Sequence, residues 1–342
     1  MPAGPVTPVR SAARATAPTS NGRSRPLRRF LPPAAARARR QLLVRALLTT
    51  GLVGGTAVLA QPLAAAETGP PSTASIDLCA FSPTFFEDFD TLSVSPYGEN
   101  GSRWIAHTPW SGDFGDAAFT DPHPGFPFRV HDGVLEIEAR KGRDGNWQSG
   151  LLASATPSTS GFAQQFGYFE MRAKLPPGPG TWPGFWLSSN LPRGSKHPGV
   201  EIDVIEYYGQ FADGYNSVVH VWDNVDPAKS REEGNITKVP PGSLTSQFHT
   251  YGANLSKDWI TFYLDRRETW RTPTPPELKV PLMVLVNLAL GSGWPIDKTP
   301  NPSIMRVDYI HVYAPRAAGE SGSCLPGGEP ASAPPQGGET SK

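Results

Sequence analysis

Short runs that alternate apolar and polar side chains recur along the chain between glycines and prolines. They cover 133–139, 167–175, 200–207, 217–222, 259–264, 282–290 and 306–313, each of strand length. In 167–175, Phe169, Met171, Ala173 and Leu175 share one face, while Tyr168, Glu170, Arg172 and Lys174 share the other. No stretch of twelve residues keeps a 3.6-residue period, so few helices are expected. Strands with one apolar face each must close a core by packing sheet on sheet. The expected fold is therefore all-β, a jelly-roll β-sandwich of antiparallel sheets.

Composition supports this reading and divides the chain. With 35 Gly, 38 Pro and 18% charged side chains in 342 residues, turns are favoured over long amphipathic helices. Residues 80–314 read as one domain. A short polar linker, 67–79, precedes it, and a tail rich in Pro, Gly, Ser and Ala, 315–342, follows and is expected to be disordered. The formal net charge of zero hides an asymmetry, because residues 1–66 hold ten Arg and no acid. The remainder sets 21 bases against 31 acids, a net charge near −10. Such a body repels phosphate backbones, which argues against a nucleic-acid partner.

The basic N-terminus reads instead as an export signal. Arg39 and Arg40 precede an apolar stretch at 46–60, and Ala64-Ala65-Ala66 supplies a small-residue cleavage site. The arginine pair resembles a twin-arginine signal but lacks its usual Phe and Lys, leaving the Sec route as the alternative. The apolar stretch falls short of the about 20 residues that span a bilayer, so no stable membrane anchor is expected and the mature chain is secreted or periplasmic. Cys79 and Cys324, the two cysteines, stand at opposite ends of the domain. In an oxidising compartment they would close one disulfide; two free thiols are the alternative. A monomer is expected.

The segment Val200-Glu201-Ile202-Asp203-Val204-Ile205-Glu206-Tyr207 puts three acids on a β-branched strand. In a regular strand Glu201 and Asp203 point one way and Glu206 the other. One bulge at Val204-Ile205 brings all three onto one face, with Glu201 and Glu206 four regular steps, roughly 13 Å, apart at the backbone. Glutamate arms leaning together from there would reach the ~5 Å separation of a retaining glycosidase pair. A solvated acidic face, or a calcium site built from the same oxygens, would use the same residues.

This string is similar to the signature E-[ILV]-D-x-x-E of glycoside hydrolase family 16, in the bulged form of its laminarinase-like members. The resemblance extends through Phe85-Phe86-Glu87-Asp88-Phe89, Gly167-Tyr168-Phe169-Glu170-Met171-Arg172, Gly180-Thr181-Trp182-Pro183-Gly184-Phe185-Trp186-Leu187 and Val286-Asn287-Leu288-Ala289-Leu290-Gly291. It implies a concanavalin-like jelly roll of two curved sheets with a groove on the concave face. It also implies Glu201 as nucleophile, Asp203 as its helper and Glu206 as acid/base, in a retaining, double-displacement endo-β-glycosidase that needs no catalytic cofactor. The expected substrate is a β-1,3- or mixed β-1,3/1,4-glucan. A depolymerase or transglycosylase acting on bacterial exopolysaccharide, and a non-catalytic lectin, are the alternatives.

A glycan groove needs flat aromatic platforms and planar polar groups. Trp182 and Trp186 lie just upstream of the acids and resemble the tryptophans beside the family's cleavage point; two tryptophans four apart also suit an ordinary core. Glu170 and Arg172 are expected to line the groove by the resemblance, or to form a surface ion pair. His220 and Trp222 share a strand face, Asn287 interrupts an apolar strand, and Trp110 sits in a Gly- and Asp-rich loop. Each is a candidate for substrate contact. Finally, the resemblance implies a structural calcium ion, for which Glu87, Gly133 and Asp308 occupy the matching places; surface acids are the alternative.

Overall fold

The computed structural model describes residues 75–110 and 112–317. The expected export signal, most of the linker and tail, and Cys324 lie outside the described residues. The strand Leu282–Leu290 is buried at every position, a pattern that only a central strand covered on both faces produces. Val284, Val286 and Leu288 enter the main core, whereas Met283, Leu285 and Ala289 enter a second apolar cluster on the opposite face.

That strand belongs to an eight-stranded sheet. In spatial order its members are Arg231–Lys238, Gly214–Trp222, Gly199–Glu206, Thr181–Ser189, Leu282–Leu290, Leu151–Ala153, Trp104–Ile105 and Val94–Ser95. The neighbours pair antiparallel, except the short last pair. A ten-stranded sheet packs behind it, built around His249–Leu255, Gly167–Lys174, Ser303–Pro315 and Val134–Lys141. Between the sheets lies the main core, to which Phe169, Met171 and Ala173 of the back sheet and Val200, Ile202 and Ile205 of the front sheet contribute. The chain is a jelly-roll β-sandwich, as the alternating runs require.

The outer face of the back sheet is covered as well. Residues 76–81 fold over it, so that Leu78 and Phe81 bury against Tyr168, Tyr263 and Tyr313. Ile76 N–H donates to the Arg266 carbonyl, and Arg316 N–H to that of Ala80. Cys79 carries no free thiol. On the front sheet the second apolar cluster, with Trp186, Leu285 and Met283, is roofed by Phe114 from the loop before Ala118–Phe119. The rest of that outer face holds the acids.

Candidate active site

Strand Gly199–Glu206 carries the bulge expected of it. Against Thr181–Ser189, Glu201 pairs with Ser188 and Glu206 with Gly184, so five steps on one strand match four on the other. Against Gly214–Trp222, Glu201 pairs with His220 and Glu206 with Asn216, the same mismatch, with the shift between Asp203 and Glu206. Val204 and Ile205 both turn into the core. Glu201, Asp203 and Glu206 consequently share the outer face.

Each acid has its own donors. Trp222 Nε1–H donates to Glu201 Oε2 at 3.2 Å. His220 Nε2 lies 3.1 Å from Asp203 Oδ2 and 3.9 Å from Glu201 Oε1, and its ring stacks on Trp222 with centroids 4.9 Å apart. At the other end, Trp182 Nε1–H and the Tyr208 hydroxyl both donate to Glu206 Oε1, at 3.1 and 2.8 Å, and their rings lie nearly parallel. Burial, and next the charge of Asp203, push the Glu201 carboxyl up to about 8, while His220 and the Trp222 N–H pull it down.

Tryptophans line the floor. On Thr181–Ser189, alternation puts Trp182, Gly184, Trp186 and Ser188 on the outer face. Trp186 Nε1–H donates to Asn287 Oδ1 at 2.8 Å, and Asn287 lies within 3.5 Å of the Trp182 carbonyl. Asn287 thus ties the two tryptophans to the central strand. Trp182 remains partly open, whereas Trp186 is 7% exposed beneath Phe114 and Trp110. Trp110, 39% exposed, stands at the rim.

Glu170 and Arg172 are corrected: they belong to Gly167–Lys174 in the back sheet, not to the groove sheet. Alternation does turn them outward, but the N-terminal segment and the turn at Asp265-Arg266 cover that face. Glu170 is fully buried and its carboxylate accepts from Arg266, Tyr168 and Tyr309 at 2.8–3.1 Å. Arg172 pairs with Asp308 and rests over Phe248. Tyr208 and Glu232 were not found from sequence. Tyr208 follows the end of its strand, and Glu232, 3.3 Å from His220 Nδ1, sits on the strand Arg231–Lys238 whose nearly uniform exposure gives no period.

Of the three residues matched to a calcium site, Glu87, Gly133 and Asp308, the two carboxylates already have other partners. Glu87 already accepts from Phe89 N–H and Trp104 Nε1–H and pairs with Arg103 at 3.1 Å, and Asp308 is engaged by Arg172. A cation at either carboxylate would face a guanidinium group. Among the described residues, one group brings three carboxylate and imidazole ligand atoms within 4.8 Å of one another, Glu201, Asp203 and His220. It is the acid cluster itself, with the His220 ring beside Asp203.

Residues 126–311 match the model of the glycosyl hydrolases family 16. The chain is 32% identical over 268 residues to the endo-1,3-1,4-beta-glycanase ExsH of Rhizobium meliloti, covering 70% of this chain and 53% of that protein. It is 31% identical over 208 residues to the beta-glucanase of Rhodothermus marinus, covering 54% of this chain and 69% of that one. The chain therefore spans about half the length of the first of these relatives. Among solved structures, SCLam, a non-specific endo-beta-1,3(4)-glucanase, shares the fold with a TM-score of 0.58 at 23% identity, over 72% of this chain and 96% of that one. A family match across more than half of the chain, over the strands that carry the acids and their tryptophans, makes this protein a member of glycosyl hydrolase family 16.

Proposed function

We propose that this chain is a secreted, retaining endo-β-glycosidase that hydrolyses a β-1,3- or mixed β-1,3/1,4-linked glucan. The observation that carries the reading is the bulge at Val204-Ile205, which sets Glu201, Asp203 and Glu206 on one face between Trp182 and Trp222. Relatives named for β-1,3-1,4 linkages support the substrate class.

In this mechanism the ionised Glu201 attacks the anomeric carbon as Glu206 protonates the departing glycosidic oxygen, giving a covalent glycosyl-enzyme and a shortened chain. Oε1 of Glu206 already accepts from Trp182 and Tyr208, so the transferred proton sits on Oε2. Glu206, now a carboxylate, takes a proton from water as that water attacks the anomeric carbon and frees Glu201. Asp203, held by His220, orients Glu201. Trp182 offers its open ring to the apolar face of a sugar. No step uses a metal.

The first test is release of reducing ends from a panel of β-1,3-glucan, mixed-linkage glucan, galactan and bacterial exopolysaccharide. Activity on the two glucans alone is expected, and exclusive activity on either of the others overturns the substrate class. Replacing Glu201 with Ala should abolish hydrolysis, and azide should restore turnover with an α-glycosyl azide as product, since attack then comes from the vacated face. A β-azide would move the nucleophile's role away from Glu201. Export is proposed on the basic, alanine-rich N-terminus, and the mass of the protein recovered from culture medium should correspond to cleavage near Ala66.

A further inference from the structure

His220 is 4% exposed and has a carboxylate on each edge of its ring. Nε2 faces Asp203 at 3.1 Å and Glu201 at 3.9 Å, while Nδ1 lies 3.3 Å from Glu232 Oε2. A neutral imidazole has one N–H and one lone pair. Either tautomer would therefore press a lone pair against a carboxylate oxygen, from one side or the other. The imidazolium, with an N–H on both edges, is the form that suits both neighbours, and Trp222 stacked on the ring favours a cation there too.

Glu232 owes this position to register: it stands directly opposite His220 on the adjacent strand, as Glu201 does on the other side. Its own neighbours are engaged elsewhere, Arg231 by Glu277 and Glu233 by Thr272. Among the described residues, the flanking strands bring the carboxylates of Glu201, Asp203 and Glu232 to the ring. We propose that Glu232 is a positioning residue that keeps His220 doubly protonated, so that a fixed cation holds Asp203 and helps Glu201 to reach its attacking, ionised form. The inference rests on the roles given above to Glu201 and Asp203, but the state of His220 is measurable without substrate.

The sign of the effect follows from charge. Glu232→Gln removes the outer anion, so His220 loses its second proton at lower pH and Glu201 loses its nearby cation. The acid limb of kcat should then move to higher pH by about one unit, with kcat reduced at pH 6 and KM unchanged. Glu232→Asp should keep most of the wild-type profile. Nitrogen-15 spectra of the histidine rings should show both nitrogens of His220 protonated in the wild type between about pH 6 and 8, and one of them deprotonated within that range in Glu232→Gln. A singly protonated His220 throughout that range in the wild type overturns the proposal, as does an acid limb unmoved in a Glu232→Gln protein of normal melting temperature. If Glu232→Gln fails to fold, the wild-type spectrum decides. An enzyme inactive on every glycan, yet with a doubly protonated His220 that Glu232→Gln deprotonates, would sink the hydrolase reading and leave standing only the hold of Glu232 on His220.

Discussion

A carboxyl pushed up to about 8 by burial and by Asp203 is costly to fold around. In the unfolded chain Glu201 ionises at its ordinary value of 4.5, whereas the folded protein must hold a proton or bury an anion until about pH 8. Its contribution to stability is favourable below 4.5 and declines as pH rises through that window. Glu201→Gln cannot ionise, so its melting temperature should match the wild type near pH 4.5 and exceed it increasingly towards pH 8, by about 2–4 °C for each kcal/mol relieved. Thermal melts of the two proteins across that range check this, and a constant difference would place the cost elsewhere. The shared strand face of His220 and Trp222 was readable because period-two alternation fixes the face on which a side chain stands. Glu170 was misplaced because alternation does not say what later covers that face. Here residues 76–81, far upstream in sequence, fold over it.

The bulge is the element on which the acid cluster depends, and it makes a contrast between deletions. Removing Val204 leaves Glu201, Asp203 and Glu206 at every second position of a regular strand, so all three stay on the outer face. That variant should fold, lose about 1–3 kcal/mol for the missing buried side chain, and keep measurable hydrolysis. Removing Ile202 instead sends Glu201 and Asp203 to opposite faces and should abolish activity. Denaturant melts and reducing-end assays of both deletions test this, and equal loss in the two would show that the bulge does more than keep the face. Elements with a clear period were legible within a few residues of their observed ends. Thr181–Ser189 was not marked as a strand, since Pro183 and Gly184 interrupt its pattern, and Arg231–Lys238 has too few buried side chains to show one.

At the scale of the whole molecule, front sheet, bulge and flanking tryptophans together imply a stereochemical outcome. If the arms of Glu201 and Glu206 close to about 5 Å, no water fits between nucleophile and sugar, and the product must retain its configuration. Proton NMR of early β-glucan hydrolysis should show the β-anomer before mutarotation; the α-anomer first would mean that the carboxylates stand too far apart. The fold class and the location of the acids were evident from sequence because both rest on local periodicity. The second apolar cluster under Trp110 and Phe114 was not, since it joins the loop before Ala118–Phe119 to strands far downstream.

The covering of the back sheet has a practical corollary. Where residues 76–81 fold over it, Arg316 reaches back to the carbonyls of Cys79 and Ala80, so the first and last described segments meet on the back sheet, away from the acids of the front sheet. A tether fixed to either of these segments, whether a bead, a cell-wall anchor or another folded module, would hold the molecule by its back. The groove would still point outward, towards polymers too large to diffuse.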